Sequence, residues 1–264
     1  AAALERGLPV ETQDRGRAER ARIQDAVARS APDAVVVVAF GQILRTPLLD
    51  LPRLGCLNVH FSLLPRWRGM SPVQQTLLHG DSWTGVSIMR MDAGVDTGPL
   101  LAVHPVPIDP CETGGDLLER LGELGAWHLV DALEALDAGA IAPFDQGEEG
   151  AVYAPRLTKS LSPVRWDRDA ITVHNQIRAL DPFPGTTSYL GQRPLKIGRA
   201  EPAGLHHGGA PPGTVVQVGA DRLTVACGEG CVHLLALQAP GRRMLPVAEF
   251  LRGFSVAVGE VFSS

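Results

Sequence analysis

The chain has 264 residues and a formal net charge of −5. That length can bury a hydrophobic core, and the four cysteines are too few and too scattered for a disulfide-stapled secreted scaffold. The acidic balance excludes binding of nucleic acid through overall charge, so any RNA contact requires a local basic surface. Because the sequence has neither an apolar run of about 18 residues nor a signal-peptide pattern, it predicts a protein of the reducing cytoplasm without a membrane segment.

The first 141 residues alternate helical and extended patterns. The elements predicted there are a helix at 17–30, strands at 34–40 and 54–60, a loop at 62–72, a short helix ending at 78, an extended stretch at 84–91 and a strand at 100–108. A continuous β-branched run such as 34–40 is typical of a strand buried on both faces of a parallel sheet. Pro105 and Pro107 predict that their strand lies at an edge or leaves the sheet. We expect an α/β domain with a doubly wound, mostly parallel sheet and ligands at the carboxyl ends of its strands.

Beyond residue 113 the pattern changes. Leucines recur with a helical period from Leu117 to Leu136, and Thr113 with Asp116 fits a capping box, so a long helix closes the first domain. Residues 142–160 are polar and aperiodic, which predicts a linker between a domain at 1–141 and another at 161–264. The later elements predicted are a helix at 170–180 and strands at 186–190, 195–200, 214–218, 223–226 and 232–237. Short strands at this spacing predict a small antiparallel barrel.

Three polar residues at strand ends, or in the loops that follow them, are the candidate catalytic residues. Asn58 and His60 are two apart on a predicted strand, so their side chains project from one face while Leu57 and Val59 turn to the core. Asp96 follows a later strand. Since the loops of a parallel sheet gather at one edge, we expect Asp96 to join the pair there.

These residue types suit a reaction that passes through a tetrahedral intermediate with negative charge on an oxygen. Asn58 can donate to the oxyanion, and a protonated His60 can do so more strongly. A nearby Asp96 carboxylate is expected to raise the pKa of His60 and to hold a water that passes a proton to the leaving nitrogen. By spacing alone, an Asn-x-His at a strand end is more often a pair of satisfied polar residues than a catalytic pair.

A metal site is the competing interpretation of Cys227, Cys231 and His233. The residues between the two cysteines fit a turn that joins two strands, and no second cysteine pair completes a zinc site. We therefore expect no metal.

The segments around the candidate residues resemble a known family. LNVHFSLLPRWRG at 57–69 and MDAGVDTGP at 91–99 resemble the folate-dependent formyltransferases, which share Asn-x-His, Ser-Leu-Leu-Pro and a later Asp. The RWRG within the first segment and the second segment as a whole are similar to the methionyl-tRNA formyltransferases in particular. VHNQIRALDPFPGTTSYL, PLKIGRAE, GTVVQV, VACGEG and FLRG follow in the order of that family, so the resemblance covers nearly the whole chain.

The resemblance implies a fold, two substrates and the residues that bind them. The fold is a doubly wound catalytic domain joined to a barrel of the oligonucleotide-binding (OB) kind. The implied reaction moves the formyl group of 10-formyltetrahydrofolate to the α-amine of initiator methionyl-tRNA, for translation initiation, and we expect a monomer with Asn58, His60 and Asp96 as catalytic residues. Residues expected to contact the folate are Phe40, Gln42, Ile43, Leu44, Ser62, Leu63, Leu64, Pro65, Met91, Asp92, Gly94 and Val95. Basic residues expected to contact tRNA are Arg66, Arg68, Arg156, Lys159, Lys196 and Arg199.

Other functions stay open. Formyltransferases that act on a sugar-nucleotide amine or on glycinamide ribonucleotide use the same three residues, although the second class lacks a C-terminal barrel and the first is not expected to carry RWR at 66–68 with this barrel. A non-catalytic tRNA-binding protein is a further candidate, because the first strand, its helix and the next strand of the family's fold are missing before Ala1, which suggests a fragment. The GMSP at 69–72 stands where the family usually has two alanines, and we expect its bulkier residues to alter the mouth of the site.

Overall fold

The computed structural model shows an α/β half followed by a curled antiparallel sheet. It describes residues 2–10, 17–41, 44 and 46–264, the side chains of residues 2 and 17–23 excepted. The elements of the first half are α1 (Ala2–Glu5), α2 (Arg17–Ser30), β1 (Val35–Val37), α3 (Thr46–Leu49), β2 (Cys56–His60), β3 (Arg68–Gly69), α4 (Pro72–Leu78), β4 (Trp83–Arg90), β5 (Leu100–Pro107) and α5 (Gly114–Asp137). The predicted fold class, an α/β domain followed by an OB-like barrel, is confirmed.

The sheet of the first half has the strand order β1-β2-β4-β5. β1 is parallel to β2, whereas β2 with β4 and β4 with β5 are antiparallel, so the expectation of mostly parallel strands is wrong for the described part of the sheet. The reason lies in the connections. The loop 91–99 between β4 and β5 is shorter than the dozen or so residues that a parallel crossover requires, so the chain reverses there.

The position of β5 agrees with its prolines. β5 is the last strand of the sheet, with Pro105 opposite Gly85 and Pro107 opposite Trp83. A proline removes a ladder donor at little cost on an edge, and among the described residues the outer side of β5 is bridged only at Leu100, by Phe144. The prediction of an edge strand is confirmed.

Helix α5 covers one face of the sheet. Its N-cap Thr113 accepts from the backbone N–H of Asp116, whose side chain accepts in return from the backbone N–H of Thr113, as the predicted capping box requires. Leu117 and Leu121 are fully buried against the sheet. A Cβ at Gly125 would lie 2.6 Å from Val59 Cγ1, so the glycine lets the helix approach β2, the strand that carries the candidate site.

The second half is the predicted barrel-like sheet. Its elements, with those of the preceding segment, are β6 (Tyr153–Ala154), a 3-10 helix (Lys159–Leu161), α6 (Ala170–Leu180), β7 (Thr186–Leu190), β8 (Arg193–Pro202), β9 (Val215–Val218), β10 (Leu223–Ala226), β11 (Cys231–Gln238), β12 (Leu245–Pro246), α7 (Val247–Phe250) and β13 (Phe262–Ser263). The strand order is β13-β7-β8-β11-β10-β9, with β12 added to β11. The two-residue strands β12 and β13 are too short for a sequence pattern to reveal.

The segment 142–160 between the halves is called the linker below, and its assignment as a domain boundary stays a prediction. Helix α6 joins the halves directly. The two ring nitrogens of His174 lie 2.8 Å from the carbonyl oxygen of Ala200 in the barrel and 3.0 Å from that of Pro110 in the first half. Arg178 donates to the carbonyl oxygens of Asp109 and Pro110. Within the described ranges, no helix is long and apolar enough to cross a membrane.

Candidate active site

Strand β2 presents the first two candidate residues. Asn58 is half-buried and His60 is 5 % exposed. Leu57 and Val59, which alternate with them along the strand, belong to the hydrophobic core. The alternation of a strand explains this arrangement, since residues two apart share a face. The prediction that the amide and the imidazole project from one face is confirmed.

Asp96 joins the pair from the loop 91–99. Its Oδ1 accepts from Asn58 Nδ2 at 3.3 Å, and its Oδ2 lies 3.7 Å from His60 Nδ1. The route differs from the expected one. β4 is antiparallel to β2, and its last residue, Arg90, lies opposite Leu57 near the start of β2. The loop 91–99 therefore starts there and folds back along β2. In a parallel sheet, the loop would meet β2 at a shared carboxyl edge instead.

The carboxylate of Asp96 has a further donor. The backbone N–H of Gly69 donates to Oδ2 at 2.8 Å. Only one N–H of the Asn58 amide is directed at Asp96, so the amide keeps a second donor for another acceptor. Asp96 therefore orients the Asn58 amide and places a negative charge beside His60.

The protonation state of His60 differs from the expected one. Burial lowers the pKa of His60, and the Coulombic effect of Asp96 and the hydrogen bond to Trp67 raise it by less. His60 Nε2 lies 2.9 Å from the carbonyl oxygen of Trp67, which can only accept, so the proton of the neutral ring sits on Nε2. Asp96 raises the pKa of His60 as expected, but desolvation of the ring outweighs its carboxylate neighbour, so the net pKa is lowered. Nδ1 is left unprotonated and faces Asp96.

A pocket with a volume of about 80 Å³ opens beside Asp96. Its walls are formed by Leu44, Met89, Met91, Asp92, Gly94, Val95 and Asp96. Five of these were expected to contact the folate, and Met89 was missed. A signal for Met89 existed, since it is two residues before Met91 and so shares its face of the chain.

The other residues expected to contact the folate lie in different settings. Ser62 is fully buried and its hydroxyl donates to the carbonyl oxygen of Arg66, and Leu64 is buried against Met89. Both shape the loop that follows β2. Leu63 and Pro65 are half-buried in the same loop, and Phe40 is exposed beyond β1. Two further residues, Gln42 and Ile43, lie outside the described residues.

Two of the arginines expected to contact tRNA are held by carboxylates of this chain. Arg66 donates through two nitrogens to Asp81, which also accepts from the Trp67 indole. The Arg68 side chain is 11 % exposed and pairs with Glu148 of the linker. Both arginines therefore brace the loop after β2.

The remaining basic candidates are accessible. Arg156 and Lys159 are exposed on the linker, and Lys196 and Arg199 are exposed on β8. Arg199 also lies 3.9 Å from Asp116 at the start of α5. Their contact with tRNA stays a prediction.

The structure adds Gln146 to the site, a residue absent from the expected set. Its Nε2 donates to the carbonyl oxygens of Asp96 and Gly98, and its Oε1 accepts from Arg68. No local signal could reveal it, because its partners are far away in the sequence.

The cysteine cluster has a simple structural explanation. Cys227 and Cys231 are buried where β10 turns into β11, and burial raises the pKa of Cys227 to about 12. Among the residues described, no group of three or more His, Cys, Asp or Glu side chains could hold a metal ion.

Comparisons with known proteins show the family of the chain. A family model described as formyl transferase matches residues 7–133, and one described as formyl transferase, C-terminal domain, matches residues 156–255. A methionyl-tRNA formyltransferase from Aromatoleum aromaticum is 47% identical over 262 residues, which is 99% of this chain and 81% of that protein. One from Brucella anthropi is 44% identical over 252 residues, covering 95% and 81%.

Solved structures share the fold at lower identity. HypX from Aquifex aeolicus in complex with tetrahydrofolic acid has a TM-score of 0.65 and 19% identity, covering 90% of this chain and 44% of HypX. An N-formyltransferase from Helicobacter canadensis has a TM-score of 0.65 and 17% identity, covering 88% and 80%. The family models and the relatives that match nearly the whole chain define a transferase, whose first half is the α/β domain. The chain belongs to the formyltransferase family.

Proposed function

We propose that the protein transfers the formyl group of 10-formyltetrahydrofolate to the α-amine of initiator methionyl-tRNA, for translation initiation. The observation that carries the proposal is the convergence of Asn58 and His60 on Asp96, which also lines a pocket. The relatives that match nearly the whole chain are named methionyl-tRNA formyltransferases, which supports the choice of acceptor.

The pocket fits a reduced folate in chemical character. Leu44, Met89, Met91 and Val95 provide apolar surface for a flat ring, and Asp92 and the backbone of the loop 91–99 provide polar groups. Such a folate supplies a formyl carbon bonded to a nitrogen that can leave. In this arrangement the formyl group would lie at the Asp96 end of the pocket, within reach of β2.

The residues of the chain account for the polar steps. The second N–H of Asn58 donates to the formyl oxygen, where negative charge develops when the amine attacks. His60 Nδ1, unprotonated in the resting state, accepts a proton from the attacking nitrogen and can return it to the leaving nitrogen. Asp96 stabilises the imidazolium that forms between these two transfers.

Contact with tRNA would depend on local basic residues, since the net charge of the chain is −5. Arg156 and Lys159 follow β6 directly and are exposed, and the linker that carries them lies against the loop after β2. The linker would therefore bring the acceptor end of the tRNA toward Asn58 and His60.

Formylation assays with three acceptors test the proposal. The chain is incubated with 10-formyltetrahydrofolate and charged initiator tRNA, an amino sugar nucleotide or glycinamide ribonucleotide. We expect turnover with the charged tRNA. Turnover with either small acceptor alone contradicts the proposal, and tRNA binding without turnover favours a non-catalytic tRNA-binding protein.

We also propose that the protein acts as a monomer in the cytoplasm. The four cysteines are free thiols in the structure, which fits a reducing compartment. Sedimentation of the protein alone and with tRNA tests the monomer, and a stable dimer would contradict it.

A further inference from the structure

One partly buried side chain of the linker, Gln146, contacts the loop of the candidate active site. From residue 142 to residue 153 each position is exposed except Gln146. A polar side chain that is partly buried while its neighbours are exposed must be covered by residues outside the segment. Its partners lie in the loop that carries Asp96.

Gln146 uses every polar group of its side chain. Nε2 donates to the carbonyl oxygen of Asp96 at 2.9 Å and to that of Gly98 at 2.6 Å. Oε1 accepts from Arg68 Nε at 3.0 Å. A guanidinium can only donate and a carbonyl oxygen can only accept, so the chemistry of the partners determines which end of the amide faces which. The carboxamide is thus a directional clamp between Arg68 and the Asp96 loop.

The linker also holds Asp96 from the opposite side. Strand β6 pairs in parallel with β3, Gly69 lies opposite Ala154, and the backbone N–H of Met70 donates to the carbonyl oxygen of Ala154 at 2.8 Å. A Cβ at Gly69 would lie 2.5 Å from that same oxygen, so the pairing depends on the glycine. Because the N–H of Gly69 donates to Asp96 Oδ2, the linker sets the position of that donor.

Asp96 needs such restraint. Its φ is 53°, in the left-handed region that residues with a Cβ seldom adopt. Backbone conformations of this kind persist where the surroundings hold them. Two hydrogen bonds from Gln146 to the carbonyl groups of Asp96 and Gly98 add to the restraint that Asp92 provides within the loop.

We propose that Gln146 is a positioning residue, which fixes the Asp96 loop so that the Asp96 carboxylate faces Asn58 and His60. The kcat measurements that test this role depend on the proposed function, whereas the hydrogen-exchange measurement of the loop 91–99 does not. Through Gln146, the position of the linker would affect the position of the Asp96 carboxylate.

The variants Gln146→Glu and Gln146→Leu separate the hydrogen bonds that Gln146 donates from the space that its side chain fills. Glutamate keeps the shape and the acceptor for Arg68, but as a carboxylate it places negative charge against two carbonyl oxygens. We expect kcat to fall about 10- to 100-fold at about pH 8, since small misplacements of catalytic groups have effects of this size. The KM for tRNA should change little, because Arg156 and Lys159 are untouched.

A pH series provides the readout that a purely structural role would not move. Protonated glutamate can donate one hydrogen bond, so kcat of Gln146→Glu relative to wild type should rise as the pH is lowered from about 8 toward the ordinary glutamate pKa of about 4.3. Leucine cannot donate, so the ratio for Gln146→Leu should stay flat. Gln217→Glu, at an exposed position of β9, is the matched charge control and should behave as wild type.

Hydrogen exchange of a peptide that spans 91–99 tests the inference without activity. We expect faster exchange of this peptide in Gln146→Glu and wild-type exchange in Gln217→Glu. Unchanged exchange, a kcat of Gln146→Glu equal to wild type at pH 8, or equal losses in both Gln146 variants at all pH values would each overturn the proposal. If wild type does not formylate the tRNA but the exchange difference is found, the proposed function fails and the positioning role stands.

Discussion

Replacing Asp96 with asparagine perturbs the candidate site at the point where its hydrogen bonds meet. The carboxylate accepts from Asn58 Nδ2 at 3.3 Å and from Gly69 N at 2.8 Å, and it lies 3.7 Å from His60 Nδ1. An amide has a single acceptor oxygen, so in the variant one of the two donors faces an NH2 group. The shape of the side chain is kept, and the charge is lost.

The lost charge determines the size of the effect. Two unit charges about 4 Å apart attract by about 4 kcal/mol at the effective dielectric constant of about 20 that suits protein sites. Since about 1.4 kcal/mol corresponds to a factor of ten, the imidazolium of His60 becomes less favourable by up to about 10³-fold. We expect kcat to fall about 10²- to 10³-fold, because that imidazolium forms during the reaction.

The assay is single-turnover transfer of a labelled formyl group to charged initiator tRNA. Asp50→Asn, an exposed carboxylate next to α3, is the control for the loss of one charge and should keep the wild-type rate. Circular dichroism and the unfolding midpoint show whether the variant is folded. A folded Asp96→Asn protein whose kcat is within about threefold of wild type would refute the argument from charge.

Three further predictions follow from the geometry. Asn58→Ala should lower kcat by on the order of 10²-fold at an unchanged unfolding midpoint, as the loss of one oxyanion donor does, and a wild-type rate would remove Asn58 from the reaction. Lys159→Glu should weaken tRNA binding in a salt-dependent way without changing folate affinity, and equal tRNA affinity in both proteins would contradict a linker contact. The rings of His104 and His128 stack with centroids 3.4 Å apart. Burial of the His104 ring is the main effect that lowers its pKa from 6.5, and the Coulombic effect of His128 lowers it further. Unfolded His104 then binds more protons, so the free energy of unfolding should fall as the pH drops below about 6.5, and urea titrations should show a smaller fall in His104→Gln than in wild type.

Elements that depend on nearby residues were predictable. The leucine period of α5 and its capping box lie within one continuous segment, as does the alternation that puts Asn58 and His60 on one face of β2. The motifs around these residues also led to the correct family, because the chemistry of formyl transfer requires particular side chains at short spacing.

Features that depend on distant residues were not predictable. The direction of β4 relative to β2 depends on how the connections run, so the route by which Asp96 reaches Asn58 was wrong although the meeting itself was expected. The role of Gln146 depends on its hydrogen bond to Asp96, which is 50 residues away in the sequence. A polar linker has no pattern that distinguishes one glutamine from its exposed neighbours.

The sequence by itself determined the longer elements of the two halves, the candidate catalytic side chains and the family, because periodicity and motif chemistry are encoded within short segments. Only the tertiary structure decided that His60 is neutral at rest, that Arg66 and Arg68 are bound to carboxylates of the chain, and that the linker holds the Asp96 loop. Desolvation and hydrogen bonding are set by which groups the folded chain brings together, and that information is spread over the whole molecule.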